Sequence, residues 1–301
     1  MLIRLFGILL LTFSPVTLFA SEIMFEGYYK IELEGKQIGY AIQRYAFDPK
    51  SSTFESTEFH RIKLGNEVIQ ETVKGKSTDK FHPISYQYTG QVGDKLKMID
   101  TTFKGEVMTS KITENGKMRT QTSKIPKKTF LASFLPYLLI MQDLKVNDSF
   151  KYSAVAEEDG NSYDGRAFLQ AKEPKPGMDV FTILNKFKGD EFISKMAVMK
   201  DVKSGKNVKG EVLSTSAPAK NLSTKLMASA NQATEGQLVN NKVLLTAFGD
   251  VPTGKVNIVA TPANTEVGDN GGDTIKSPVP ASQPLKPNVP VIKKGQKTSE
   301  N

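Results

Sequence analysis

Two histidines, His60 and His82, are the residues of this chain best suited to proton transfer near neutral pH. An imidazole can act as a general base because its pKa lies close to 7. His60 follows Phe59 within an alternating apolar segment, and His82 lies between Phe81 and Pro83. A single histidine in a strand is more often a packing or surface residue than a base. We therefore predict no catalytic residue and no enzymatic activity.

Oxygen ligands for calcium are concentrated in one acidic stretch, Glu157 to Asn161, followed by Asp164. The spacing differs from that of an EF-hand loop, and we interpret the stretch as a polar hairpin tip. The chain has no cysteine, which excludes disulfides, thiolate metal sites, a cysteine nucleophile and a lipid-modified cysteine. Acids on the strands are expected to face mostly solvent, so no carboxylate pair for glycoside hydrolysis is identified. No metal and no cofactor are predicted.

The segment TFLASFLPYLLIM, residues 129–141, is apolar on every face. Thirteen residues are too few to span a membrane, so the segment predicts a buried helix or plug, bent at Pro136. One interpretation is a core helix that closes one end of a barrel. The other is a mobile lid over a lipid-sized cavity.

Aromatic and apolar side chains near this segment could line a cavity for an apolar or lipid ligand. They would serve equally well as an ordinary core. The candidate ligand-binding residues are Tyr86, Tyr88, Phe130, Phe134, Tyr137 and Leu138.

Period-two alternation with turn residues at short intervals runs through most of the chain and predicts antiparallel hairpins. Asn115-Gly116 is the strongest hairpin signal, and Gly90 is predicted to end a strand. Residues 243–248 and 255–260 are predicted to form a last hairpin, and residues 222–233 fit either a strand or a helix. The predicted fold is mainly β: an antiparallel β-barrel or curled half-barrel meander with one short apolar helix.

Three regions are predicted: a signal peptide at 1–20, a β-barrel domain at 21–261 and a disordered Pro/Lys-containing tail at 262–301. Export places the protein in the periplasm or at the cell surface, with no transmembrane span in the mature chain. The net charge of +8, with 40 basic and 32 acidic residues, indicates attraction to anionic envelope surfaces through the basic tail. Export argues against nucleic acid as a partner.

The opening EGYYKIELEGKQIGYAIQRY resembles the first hairpin of exported bacterial β-barrel proteins grouped as a domain of unknown function. It is also similar to the β-domain that precedes many bacterial transglutaminase-like domains. Tyr28, Gly35, Ile38 and Gly39 occupy the matching places. The resemblance implies a periplasmic β-barrel and no catalytic residues, and a transglutaminase is excluded because the chain lacks a cysteine nucleophile.

Three functions remain open. The first is a non-catalytic envelope binding or scaffold protein that holds an apolar ligand under the short helix. The second is a periplasmic lipid or lipoprotein carrier, which requires a cavity of about 300–1,000 Å³ beneath residues 129–141. The third is a cell-wall-directed hydrolase with unidentified acid residues, which requires acids or a histidine with a shifted pKa in a cleft.

Overall fold

A computed structural model describes residues 21–142, 145–200 and 207–260, and their strands form one mixed sheet. The strands, in chain order, are β1 (Glu22–Leu33), β2 (Lys36–Asp48), β3 (Thr53–Leu64), β4 (Glu67–Thr78), β5 (Pro83–Val92), β6 (Lys95–Lys104), β7 (Val107–Glu114), β8 (Lys117–Lys124), β9 (Phe130–Leu131), β10 (Ser149–Ala156), β11 (Asn161–Lys175), β12 (Met178–Phe187), β13 (Asp190–Lys200), β14 (Asn207–Ala217) and β15 (Leu222–Met227).

The sheet consists of two meanders that join at β1. Strand β1 pairs with β15. On one side of this pair, β1 to β8 are neighbours in chain order, and on the other side β15 to β10 are neighbours in reverse chain order. The strand order is linear, so the sheet is not closed. It nevertheless curls, since Gln121 Nε2 donates to Asn161 Oδ1 at 3.2 Å between the two arms. The predicted mainly β, half-barrel fold is confirmed.

Turn chemistry fixes the hairpins. Asn115 and Gly116 adopt positive φ angles of 49° and 79°, as the predicted tight turn requires. The prediction that Gly90 ends a strand is wrong, because β5 continues to Val92. Gly90 instead makes room for the Tyr88 ring, whose hydroxyl oxygen would lie 2.3 Å from a Cβ at this position.

The apolar segment at 129–141 is only partly helical. It forms β9, a 3-10 turn at Ala132–Phe134 and the helix α1 (Leu135–Met141). The predicted bend at Pro136 is wrong, because this proline lies in the first turn of α1, where its missing N–H leaves no hydrogen bond unmade. The helix packs closely on β14, since a Cβ at Gly210 would lie 2.3 Å from Ile140 Cδ1.

The predicted last hairpin is also wrong. Its first predicted strand, residues 243–248, belongs to the helix α3 (Asn241–Phe248). A shorter helix, α2 (Ala230–Ala233), precedes α3. Asn240 caps α3 by accepting from two backbone N–H groups, and Gly249 ends it at a φ of 84°. Leu244 of α3 is buried against the convex face of β2 and β3. Strand β2 is therefore covered on both faces.

The segment after α3 is tied to the sheet by the buried carboxylate of Glu26. This carboxylate accepts from Arg44 Nε at 2.8 Å, from Thr253 N at 2.6 Å and from Gly254 N at 2.7 Å. Val256 adds a backbone bridge to Glu26. The end of the described chain is thus fixed by charge-assisted hydrogen bonds rather than by a strand pair.

Two predicted regions, the signal peptide at 1–20 and the tail at 262–301, lie entirely outside the described residues. Within the described ranges, none of the helices has the length and apolarity that a membrane crossing demands.

Candidate functional site

A pocket of about 610 Å³ lies beside α1, where the sheet remains open. Strand β9 pairs with β10 only at Ala154 and Val155, so within the described residues Ser149–Ser153 has no strand neighbour on that side. The pocket occupies this gap, and we call it the α1 pocket. It is lined by Lys80, Phe81, His82, Lys127, Lys128, Phe130, Leu138, Gln142, Phe150, Lys151, Tyr152, Ser153, Asp164, Gly165, Arg166 and Lys186.

The floor of the α1 pocket is apolar and largely aromatic. Phe150 and Tyr152 extend from β10 with ring centroids 6.0 Å apart, and Phe130 lies 5.6 Å from Tyr152. Phe81 approaches from the β4–β5 turn, and Leu138 from α1. Rings from three separate chain segments thus form one surface suited to an acyl or alkyl chain.

Tyr152 owes its position to Gly165 on the neighbouring strand. The two residues are direct partners in the β10–β11 register. A Cβ at position 165 would lie 2.3 Å from the Tyr152 ring, so only glycine lets the ring lie flat here. The tyrosine is buried, its hydroxyl has no hydrogen-bond partner among the described residues, and burial raises its pKa.

The rim of the pocket is cationic. Lys151 of β10 lies opposite Arg166 of β11, and Arg166 lies opposite Lys186 of β12. Opposite residues share one face with Cβ atoms about 5 Å apart, and like charges placed so are destabilising. Arg166 stacks on Phe168 at 4.5 Å and donates to Ser149, which fixes its guanidinium in place. The three strands thus present a row of three cations on the face of the sheet opposite to that of Phe150 and Tyr152, and all three line the pocket at the open edge of β10.

Three further lysines complete the rim, namely Lys80, Lys127 and Lys128. The Lys127 side chain is 85% exposed, and its ammonium lies 3.9 Å from a carboxylate oxygen of Glu106. Lys128 holds a left-handed φ of 65°, a conformation that is strained for a residue with a Cβ. Among the described residues, Asp164 is the one carboxylate that lines the pocket. The rim therefore attracts anions.

The structure brings two of the six candidate residues, Phe130 and Leu138, into the α1 pocket. Phe134 and Tyr137 pack in the core against Tyr45, whose ring lies 4.5 Å from that of Tyr137. Tyr86 and Tyr88 belong to β5, on the far arm of the sheet. Tyr88 donates to Glu71 at 2.7 Å in a separate interior cavity, and Tyr86 borders a cleft on the other side of that arm.

Sequence reasoning missed most of the pocket. Phe150 and Tyr152 flank Lys151, a pattern of two inward rings around an outward cation that the alternation itself contains. Lys127 and Lys128 directly precede the apolar segment, and no local pattern in the sequence assigns them to a pocket. The register that aligns Lys151 with Arg166 cannot be read from either strand alone.

The other candidate chemistry is distributed over different places. His82 lies on the rim of the α1 pocket, whereas His60 faces the interior cavity. Asp159 accepts from Asn161 N at 2.9 Å, the geometry of a hairpin tip. Across the described parts of the chain, no group of three or more acids and histidines has the arrangement of a metal site.

Comparison with known proteins gives similarity in structure alone. A β-barrel-like protein of the domain of unknown function DUF1849 from Brucella abortus is 10% identical with a TM-score of 0.44, and the match covers 67% of this chain and 93% of that chain. A DUF1089 family protein from Pseudomonas aeruginosa is 12% identical with a TM-score of 0.31, covering 68% of this chain and 95% of that chain. No family model matches the sequence, and no curated protein matches it.

Proposed function

We propose that this protein is an exported, non-catalytic binding protein that carries one anionic amphiphile in the α1 pocket. The apolar chain of the ligand lies on the aromatic floor, and its anionic head lies at the rim. The observation that carries this proposal is the row formed by Lys151, Arg166 and Lys186, which lines the same pocket as that floor from the outer face of the sheet.

The size and lining of the pocket support a ligand with a single apolar chain. A volume of about 610 Å³ lies within the range of small-molecule sites. An apolar chain gains about 0.8 kcal/mol for each methylene that leaves water. Phe130, Phe150 and Tyr152 provide the surface for this burial. A scaffold protein would fill the same volume with its own side chains.

The charges of the rim support an anionic head group. Among the described residues, six cationic side chains and one carboxylate line the pocket. Lys186 already pairs with Glu191. Placing Lys151 opposite Arg166 costs stability unless a counter-charge is present, and a bound anion would supply one. Guanidinium and ammonium groups donate to phosphate and carboxylate oxygens in short, charge-assisted hydrogen bonds.

The chemistry of the α1 pocket favours carriage over hydrolysis. A glycoside hydrolase needs two carboxyl groups that flank the scissile bond. This pocket offers one, Asp164, within a cationic rim. We therefore favour carriage of an intact ligand.

The cellular setting is part of the proposal. Residues 1–20 have the sequence of a signal peptide, which supports a location in the periplasm or at the cell surface. There the ligand would be an envelope lipid or a product derived from one. The basic tail at 262–301 would hold the carrier near anionic membrane or wall surfaces. The relationship to β-domains that precede transglutaminase-like domains remains a hypothesis.

Calorimetric titration with dodecyl phosphate below its micellar concentration tests the function. We expect one-to-one binding that weakens as salt is added, and weaker binding of dodecyl maltoside, which has the same chain and no charge. The double variant Lys151→Gln, Arg166→Gln should lose at least about tenfold in affinity for the phosphate. The matched control Lys95→Gln, Lys117→Gln removes the same charge from exposed positions outside the pocket. Equal affinity for both ligands, or equal loss in both double variants, would refute the proposal.

A further inference from the structure

A second cavity of about 570 Å³ lies inside the curl of the sheet, on the opposite side of α1, and we call it the interior cavity. The inward faces of β3 and β4 border it through Glu58, His60 and Glu71. The expectation that strand-borne acids face solvent is therefore wrong for these two glutamates. Side chains of β3 and β4 do alternate between the two faces, as predicted. At this end of the sheet, however, polar residues occupy the inward positions.

Acidic groups dominate the polar lining of the interior cavity. Glu58, Glu71 and Glu157 face it, and Glu158 lies at its edge. Among the described residues that line the cavity there is no lysine or arginine. Glu158 is already paired with Lys188 at 2.6 Å. The three remaining carboxylates have His60 as the one ionisable base of the lining.

Three hydrogen-bond donors of the lining are already engaged. Gln43 Nε2 donates to Glu58 at 2.7 Å, and Tyr88 donates to Glu71 at 2.7 Å. Tyr29 donates to the backbone carbonyl of Val212 at 2.9 Å. A ligand in this cavity would therefore meet acceptors and must supply the hydrogens itself.

An unpartnered acceptor points to the same kind of ligand independently of the acids. Asn185 of β12 lines the cavity and is 2% exposed. Its side-chain carbonyl oxygen has no hydrogen-bond partner among the described residues. A buried acceptor left without a donor costs about 1–3 kcal/mol. A ligand N–H group would remove this cost.

We propose that the interior cavity is a second binding site, distinct from the α1 pocket, for a small organic cation with N–H donors, such as a primary alkylammonium. Its ammonium group lies among Glu58, Glu157 and the Asn185 oxygen. Its apolar part lies against Phe187, Phe192 and Leu139, whose side chains border the same volume. Aromatic faces also attract cations.

The electrostatics of the interior cavity agree with this assignment. Burial raises the pKa of Glu157 to about 8, and the charge of Glu58 adds to the effect. Burial likewise raises the pKa of Glu58. Burial lowers the pKa of His60, but its interactions with Glu71 and Glu58 outweigh this and raise it overall. All three pKa shifts are those expected of a cavity that lacks positive charge. A cationic ligand would provide that charge.

Calorimetric titration of n-hexylammonium chloride into the full chain at pH 7.5 tests the proposal, with n-hexanol as the uncharged ligand of equal length. We expect saturable one-to-one binding of the ammonium, and hexanol binding at least about tenfold weaker. Glu58→Gln should weaken ammonium binding by about tenfold, because it removes a charge that faces the ligand. Asn185→Asp should strengthen it.

Glu55→Gln is the matched control. Glu55 belongs to the same strand but lies on its outward face, paired with Lys76 at 2.9 Å. This variant should bind n-hexylammonium as the wild type does. Thermal unfolding of every variant establishes folding, and Asn185→Asp gives an independent result if Glu58→Gln is destabilised.

Three outcomes would overturn the interior site. One is equal affinity for n-hexanol and n-hexylammonium, and another is binding that neither Glu58→Gln nor Asn185→Asp alters. The third is loss of ammonium binding in the variant Lys151→Gln, Arg166→Gln, which would place the cation at the α1 pocket. Failure of dodecyl phosphate to bind would leave the interior site standing, so the two proposals fail separately.

Discussion

The Tyr152 ring lies directly over Gly165, so close that a Cβ at position 165 would come within 2.3 Å of the ring. The two residues are partners across β10 and β11, at the strand edge where the sheet stays open. The glycine thus sets how far the ring projects into the α1 pocket. The shape of the binding surface at Tyr152 therefore depends on the absence of a side chain at position 165.

Gly165→Ala should push the Tyr152 ring into the pocket and weaken dodecyl phosphate binding by about tenfold, measured by calorimetry. Gly90→Ala is the matched control, because Gly90 lies under the Tyr88 ring in the same way, outside the pocket. Both variants should lose about 1–3 kcal/mol of unfolding free energy. Equal ligand affinity in the two variants would contradict this role of Gly165.

Lys128→Gly should change stability and binding in opposite directions. Glycine relieves the left-handed φ of 65°, so the free energy of unfolding should rise by roughly 0.5–1 kcal/mol. Affinity for dodecyl phosphate should fall, because one rim charge is lost. Ser52→Gly, at a φ of 51° outside the pocket, should raise stability without affecting binding. A fall in stability for Lys128→Gly, or unchanged affinity, would count against the argument.

Adjacent residues of α1 should respond differently to a buried charge. Leu138 is half-buried and faces the α1 pocket, whereas Leu139 is buried in the core cluster. Leu139→Asp should cost about 3 kcal/mol or more in urea unfolding, because it places an unpaired charge in the core. Leu138→Asp should remain folded and lose dodecyl phosphate binding. If both variants unfold alike, α1 is core on both faces.

Glu157 should make stability depend on pH. Its pKa is raised from 4.5 to about 8 in the folded protein, so the folded state keeps a proton that the unfolded state has lost between these values. Stability therefore falls as pH rises through this window, by up to about 1.4 kcal/mol per pH unit from this group. Above pH 8 Glu157 is ionised in both states, and the folded protein bears the full free-energy cost of its buried charge.

Glu157→Gln should flatten that dependence. The amide oxygen can still accept from Ser133 N, which donates to the carboxylate at 3.1 Å in the wild type. Urea unfolding at pH 5, 6.5 and 8 measures both proteins. We expect the variant to be more stable than the wild type at pH 8. Identical slopes in the two proteins would show that Glu157 ionises normally.

The sequence predicted the sheet because alternation and turn residues are local signals. Asn115-Gly116 gave a hairpin, and each arm of the sheet follows chain order. Residues 243–248 have β-branched and apolar residues that suggested a strand, yet Asn240 and Gly249 cap a helix there. Attention to these two capping residues would have corrected the prediction, because caps outweigh the weak strand preference of the residues between them.

The sites depended on long-range register, which no local pattern contains. Phe130 and Leu138 were predicted because they lie in the apolar segment that borders the pocket. Arg166 and Lys186 could not be predicted, because their alignment with Lys151 follows from two strand pairings. Acids on the strands were expected mostly at solvent faces because glutamate usually prefers water, whereas the curl of the sheet turns the face that carries Glu58 inward.

Photo-crosslinking with an alkyl phosphate that carries a diazirine at its chain end tests the central claim most directly, because it maps the ligand onto the chain. The account predicts labelled peptides that contain Phe150 and Tyr152 of β10 and Leu138 of α1, with dodecyl phosphate competing for the label. Labels confined to Met196 and Val212 in the interior cavity, or spread over the exposed surface without competition, would contradict it.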